Sequence, residues 1–375
     1  MIATPTRCLF GGALASLLLL PPAALGQDDG RAPLAPVALV ESVASMKLLF
    51  DGRPTPGSRI ERKLRDPVRA ALNTWAPVAE RLGMEVAVPE HAPVLVLGHA
   101  DDDLLEDAAE WADDTHALLA PVLEVEGVTP GPVVIMVLFD REGHGSEAWP
   151  GFLTELVARG ALDAALEPAI RDDRPSLTLR HASVFLQTTY DAVGDAAAGD
   201  DEFRLGNEIA HKTATFLLEG TFGRQPEALR WGLGFVAEQR LFGSSYQFNV
   251  SGFVSAGDHH GWSSQTEDWL KDRARDDGFS LADVVLDVEH PGSASAEQKC
   301  TWMLLDQLLH EHPEGLATLL GELGALDLRA DPQRFRPTWV GSGRLARMAL
   351  DEQLEAADVT AKDLAAWARK FKPRR

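Results

Sequence analysis

Residues 206–243 have the sequence GNEIAHKTATFLLEGTFGRQPEALRWGLGFVAEQRLFG, and this stretch decides how the rest of the chain is interpreted. We predict two helices here, over residues 203–218 and 226–241. Helix also dominates the sequence that follows. The further helices that we predict in this half cover residues 302–310, 315–323 and 361–371.

The first half of the chain contains the strand patterns. VVIMVLF at residues 133–139 is the strongest of them, and VLVL at residues 94–97 indicates a shorter buried strand. Residues 176–188 alternate apolar and polar side chains, which is typical of a strand or a hairpin arm. Helical periodicity predicts helices over residues 60–82 and 101–119. A small sheet in the N-terminal half followed by a mainly helical body predicts an α+β fold.

The first 26 residues form a separate unit. Arg7 precedes the apolar run CLFGGALASLLLL at residues 8–20, and residues 24–26 (ALG) offer the small side chains of a cleavage site. This pattern is typical of a secretory signal peptide, and the run is short for a membrane-spanning helix. We therefore expect an exported protein, periplasmic or extracellular, with no membrane span after cleavage.

The predicted domain organisation follows from these patterns. Residues 1–26 are the signal peptide, and residues 27–90 are an N-terminal helical segment. Residues 91–375 are one domain, in which residues 91–200 contain the strands and residues 201–375 the helices.

Charge limits the classes of partner. The 375 residues include 35 Lys and Arg against 57 Asp and Glu, which gives a formal net charge of -22. Nucleic acids and anionic lipids bind basic surfaces, so we expect neither as a partner. Cys300 is the one cysteine outside the leader, so no intramolecular disulfide can form and the exported chain must rely on its core. We expect Cys300 to be a small buried side chain rather than a nucleophile.

The chemistry is concentrated in Asn207-Glu208-Ile209-Ala210-His211. In the zinc-binding motif His-Glu-x-x-His, two histidines on one helical face hold the ion, and the glutamate acts as general base on the metal-bound water. Here Glu208 and the second histidine, His211, are present. Asn207 stands at the first ligand position.

The order and spacing of these segments resemble the exported peptidase MA-like gluzincins, a zinc metallopeptidase-like family that includes domain-of-unknown-function relatives. The resemblance covers residues 94–372. The strand at 94–97, the acidic helix after it, and the strand at 133–139 with the following Asp-Arg resemble the front half of that family. AEQKCTWMLLDQLLHEHPEGLATLL, at residues 296–320, resembles the helix pair that follows the active site, and residues 354–371 resemble the terminal helix.

The resemblance implies a degenerate zinc site. Zinc-binding members have a third ligand, Glu, in a pattern like Trp-x-x-Glu-Gly-x-Ala; here Trp231 and Ala237 match, but Gly234 stands at the ligand position. Asn207 offers only a poor ligand for zinc, and Gly234 offers none. Glu208 would then be a vestigial general base and His211 a vestigial metal ligand. One histidine cannot hold zinc in an open three-ligand site, so we expect no cofactor.

Other residues could in principle replace the missing ligands. Glu238 lies one helical turn beyond Gly234, displaced by about 5–6 Å, so we expect it not to reach the site. Glu219 belongs to the same helix as His211 and cannot face it. His259 and His260 lie in a glycine- and serine-containing loop, and we expect them to be exposed.

Three functions remain open. The first is a pseudopeptidase, a non-catalytic module that binds or scaffolds a protein or peptide. The second is an active metal-dependent hydrolase that uses His211, Glu208 and a ligand such as His259 or Glu238, and this function would require zinc. The third is an unrelated exported binding protein. The family resemblance predicts that the two motif helices pack together, with Asn207, Glu208 and His211 opposite Gly234.

Overall fold

The chain forms helices and one small sheet in the computed structural model. It describes residues 66–99, 102–131, 133–139, 147–158, 164, 167–168, 178–179, 184–188, 205–223, 225–245, 261–275, 279–286, 295–330 and 339–372. The predicted signal peptide, most of the segment at 27–90, and His259 and His260 lie outside these residues.

The described strands all lie before residue 189, with three helices among them, and only helices follow in the described part of the chain. The first eight elements are α1 (Asp66–Leu82), β1 (Glu85–Ala87), β2 (Val94–His99), α2 (Asp102–Leu123), β3 (Val134–Phe139), α3 (Ala148–Ala158), β4 (Thr178–Leu179) and β5 (Val184–Thr188). The helices that follow are α4 (Leu205–Phe222), α5 (Glu227–Phe242), α6 (Trp262–Arg273), α7 (Leu281–Leu286), α8 (Ala296–Glu311), α9 (Pro313–Ala330), α10 (Trp339–Ala356) and α11 (Ala361–Lys370).

The sheet has the strand order β1-β2-β3-β5-β4. β2, β3 and β5 are parallel, and an antiparallel strand closes each side, with β1 against β2 and β4 against β5. The alternating sequence at 176–188 contains two antiparallel strands, β4 and β5, where the pattern predicts a single strand or hairpin arm. A small sheet with a mostly helical remainder confirms the predicted α+β class.

Successive residues of a strand point to opposite faces of the sheet. Both faces carry apolar side chains here, and helices cover both of them. Val96 and Met136 face the larger core, which includes α2, α4, α5 and α8. Leu97 and Val137 face a smaller core with α1 and α3. β1 precedes residue 91 and pairs with β2, so the predicted division at residues 90 and 91 falls between two strands of one sheet.

The helices of the C-terminal half pack against one another and against α2. α4 packs on α2 and α5, α5 packs on α8, and α6 packs on α11. Cys300 is buried in α8, and burial raises the pKa of its thiol well above the ordinary value, as expected for an inert side chain. Within the described residues, none of the helices is both long enough and apolar enough to cross a membrane.

The helix predicted at residues 361–371 is α11, but the longer segment at 354–371 that resembles one terminal helix also contains the end of α10. α10 ends at Ala356, and Asp358 adopts a positive φ of 51° in the turn that follows. Thr360 then caps α11 through a capping box with Asp363, whose side chain accepts from the Thr360 backbone N–H. The turn and the capping box therefore separate the end of α10 from the start of α11.

Candidate functional site

α4 and α5 form the most extensive helix pair in the described chain, and the candidate site lies between them. Asn207 and His211 are four residues apart in α4, so they share one helical face. Across from them in α5 lie Gly234 and, one turn further on, Glu238. This arrangement confirms the predicted packing of the two motif helices.

Glu238 is the centre of a buried hydrogen-bond network. Its Oε1 lies 2.7 Å from Nδ1 of His211, and its Oε2 accepts from Nδ2 of Asn207 at 3.2 Å. Asn207 Nδ2 also donates to the backbone oxygen of Ser244 at 2.7 Å. Asn207 is 0% exposed and Glu238 is 1% exposed. The expectation that Glu238 would not reach the site is therefore wrong.

Gly234 lies directly against the imidazole of His211. A Cβ atom at this position would come within 2.5 Å of Cε1 and Nε2 of the ring, so only glycine lets the helices approach this closely. Trp231 and Phe235 flank the same ring edge-on, with centroid distances of 5.0 Å and 5.1 Å. Gly234 stands at the position where the family resemblance implies a carboxylate ligand. The imidazole of His211 fills the space that such a side chain would need.

Glu208 is engaged on its own helix. Its Oε1 lies 3.1 Å from Nζ of Lys212, an i,i+4 pair in which both side chains are largely buried. Glu219 lies near the end of α4, where its Oε1 accepts from the backbone N–H of Gln225 at 3.4 Å.

Burial keeps His211 neutral. Desolvation lowers the pKa of its imidazole to about 4; Glu208 raises the pKa and Lys212 lowers it, both by less. Nδ1 of His211 and Oε1 of Glu238 lie 2.7 Å apart, so one proton is held between them in a hydrogen bond. With a neutral ring and an ionised carboxylate, this proton is on Nδ1 and Nε2 has the free electron pair, as in a histidine oriented by a carboxylate.

The described residues of this site do not fit a zinc ion. Both neighbours of the Asn207 amide, the Glu238 carboxylate and the Ser244 carbonyl, are acceptors, so the NH₂ group must face them. The Asn207 oxygen, the atom that could bind a metal, is turned elsewhere and is buried without a partner. Among the described residues, no group of three or more His, Cys, Asp and Glu side chains could hold a metal ion.

The candidate site thus consists of two packed helices joined by a buried histidine–carboxylate pair, within an α+β fold. The chain matches no protein-family model, and no curated protein matches it. The function must therefore be argued from the contacts of the site itself.

The low pKa of His211 gives a test of this geometry in the stability of the protein. Its folded-state pKa of about 4 lies below the unfolded value of 6.5, so the unfolded chain takes up a proton first as the pH falls. We expect this group to cost about 3 kcal/mol of stability between pH 7 and pH 4, with the loss levelling off below pH 4.

The measurement is denaturant unfolding at a series of pH values for the unmodified protein and for His211→Gln. The other acidic groups titrate in both proteins, so the difference between the two curves isolates His211. We expect the gap to change steadily from pH 7 to pH 4. Parallel curves over this range would show that the imidazole is not desolvated as described.

Proposed function

We propose that this chain is an exported, metallopeptidase-like protein whose two-helix site does not catalyse hydrolysis and serves instead in a binding or scaffolding module. The observation that carries the proposal is the hydrogen bond of 2.7 Å between His211 Nδ1 and Glu238 Oε1, made while Gly234 lies against the ring. The histidine that would hold a metal is used here to join α4 to α5.

The ligand chemistry supports a non-catalytic role. A catalytic zinc site has three protein ligands and an open position for water. This site offers one imidazole, one amide whose oxygen is turned away, and one carboxylate whose two oxygens already accept hydrogen bonds. Glu208, which would act on a metal-bound water, is paired with Lys212.

The proposed partner is a protein or peptide. The net charge of -22 disfavours nucleic acids and anionic lipid surfaces. Trp231 is half-buried beside His211, and a partly exposed tryptophan is the kind of side chain on which a peptide is anchored. The charge and this aromatic edge together favour a partner with apolar and basic groups.

The test begins with metal content. Tag-free protein recovered from the exported fraction should contain clearly less than one equivalent of zinc. Its melting temperature should not change when a chelator is added, because an ion stabilises a protein only in proportion to its binding. Glu208→Gln should be indistinguishable from the unmodified protein in peptide hydrolysis assays.

Binding is tested with a displayed library of random peptides. Selected peptides should bind Trp231→Ala at least about tenfold more weakly, since aromatic anchors contribute more than 1 kcal/mol to such interfaces. The matched control, Glu208→Gln, should bind them normally because binding needs no general base. A library that yields no peptide sensitive to Trp231→Ala would contradict a peptide-binding role for this site.

A second candidate is a metal-dependent hydrolase with unusual ligands. The approach of Glu238 to both Asn207 and His211 favours it, because Glu238 is one of the two ligands that the sequence offers for this function. This function would require stoichiometric zinc in the unmodified protein and its loss in His211→Ala. Such a result would replace the proposal of a non-catalytic protein.

A further inference from the structure

A continuous row of aromatic rings leads from the candidate site to the last described residues. His211 packs edge-on against Phe235 at 5.1 Å between centroids, and Phe235 against Trp262 at 5.2 Å. Trp262 packs against Trp302 at 5.7 Å, and Trp302 against Phe371 at 5.1 Å. The four interplanar angles lie between 66° and 77°. Each ring is thus held by the edge or face of the next one.

Residues 361–372, which we call the strap, comprise α11 with Phe371 and Lys372. A buried carboxylate fixes the strap to the helical body: Asp306 of α8 is 0% exposed and accepts from Nε1 of Trp367 at 2.7 Å. The same carboxylate accepts two hydrogen bonds from Arg240 of α5, each of 2.6 Å.

Arg240 also contacts the strap directly. Its Nη1 donates to the backbone oxygen of Lys372 at 2.9 Å, and its guanidinium lies 4.4 Å from the ring centroid of Phe371. Glu238, two residues earlier in α5, bonds His211 on the opposite side. One helix therefore contacts the candidate site through Glu238 and the strap through Arg240.

The strap is the kind of element that opens separately from the rest of a fold. The fully buried side chains of α11 are Leu364, Ala365 and Ala368, while Trp367 and Phe371 are only partly buried against the same core. A turn with a positive φ precedes the helix. Elements that bury few apolar side chains open at a lower free energy than the global unfolding of the protein. Undocking would remove Phe371 from Trp302 and the Trp367 N–H from Asp306.

We propose that docking of the strap controls the candidate site: the docked strap holds α5 where Glu238 bonds His211, and undocking releases the imidazole. Calling this coupling regulation rests on the proposed binding role of the site. The physical coupling between the strap and His211 does not depend on that role. Coupling between two sites is reciprocal, so a change at Glu238 must also loosen the strap.

The experiment uses the full chain and two readouts. Hydrogen exchange followed by mass spectrometry reports opening of residues 361–372, and the rate of modification by diethylpyrocarbonate reports release of His211. Phe371→Ala should accelerate both by about fivefold or more, the lower end of typical couplings between sites. The matched control, Lys362→Ala, removes an exposed side chain of the strap and should change neither rate.

The reciprocal variant is Glu238→Gln, which keeps the side-chain shape but replaces one acceptor with a donor. It should accelerate exchange in the strap, although it lies on the far side of α5. Trp367→Phe serves as a second strap variant if Phe371→Ala folds poorly, because it removes one donor and keeps an aromatic ring.

Two results would overturn the coupling. One is faster exchange in the strap with an unchanged modification rate of His211; the other is an unchanged strap in Glu238→Gln. Neither readout involves metal or peptide, so the coupling can fail while the proposed function stands. Stoichiometric zinc or catalysis would contradict the proposed function and leave the coupling measurements valid.

Discussion

Gly324→Ala should destabilise the protein by at least about 3 kcal/mol, the upper range for adding a methyl group to a packed interior. A Cβ atom at residue 324 would come within 1.8 Å of the backbone oxygen of Phe222. Backbone cannot move aside as a flexible side chain does, so α9 would have to separate from the end of α4. Gln225 lies at the same junction and donates to the backbone oxygens of Gly223 and Leu320.

The matched control is Gly321→Ala, one turn earlier in the same helix. A Cβ atom there would have no neighbour within 4 Å. Alanine is favoured over glycine in a helix by about 1 kcal/mol, so this variant should be slightly more stable than the unmodified protein. Chemical denaturation of the three proteins measures the comparison. Equal stability of the two alanine variants would show that α9 does not approach α4 as closely as described.

Local patterns were sufficient to predict the class of fold. The apolar runs at 94–97 and 133–139 became β2 and β3, because buried parallel strands require near-continuous apolar sequence. The local sequence pattern of residues 206–243 likewise predicts the two helices α4 and α5. α3, which has Pro150 and Gly151 near its start, was not predicted, because these residues also indicate a turn.

The candidate site was predicted in part. The contact between His211 and Gly234 followed from placing the two motif helices opposite each other, and the structure confirms it. The prediction for Glu238 is wrong, because it rests only on the displacement of about 5–6 Å along the helix axis beyond Gly234, and the Glu238 side chain spans this displacement. Gly234 places no side chain between α5 and the imidazole of His211, and the Glu238 side chain reaches Nδ1 of the same ring. The buried NH₂ group of Asn207 also needs an acceptor, a requirement that could have indicated Glu238.

Contacts between distant parts of the chain could not be predicted from the sequence. Arg240 and Asp306 are 66 residues apart, and Asp306 and Trp367 are 61 residues apart. No local pattern distinguishes Asp306 from an exposed acidic residue of a helix, and in a chain with 57 Asp and Glu residues most acids are exposed. Its burial follows only from the way α5, α8 and α11 meet.

Asp306→Asn should destabilise the protein by about 3–5 kcal/mol, the cost of leaving a charge without its buried partner. Asp306 is 0% exposed and the Arg240 side chain is 16% exposed. The carboxylate accepts from Arg240 through both oxygens and from Trp367 Nε1 through one of them. An asparagine would direct NH₂ hydrogens at one of these donors, and it would leave the Arg240 guanidinium without a counter-charge.

Asp283→Asn is the matched control, because Arg347 binds Asp283 in the same two-pronged way between two helices, at 2.6 Å and 2.9 Å, but at the surface. The side chains of this pair are 49% and 44% exposed, so water screens the interaction. Exposed pairs contribute at most about 1 kcal/mol, and we expect the loss in Asp283→Asn to stay below that value. The two variants remove the same charge from the same kind of Arg–Asp pair, so the difference in unfolding free energy measures the effect of burial together with the loss of the Trp367 hydrogen bond. If both variants lose equally little stability, water must reach Asp306, and the strap cannot be fixed by a buried carboxylate.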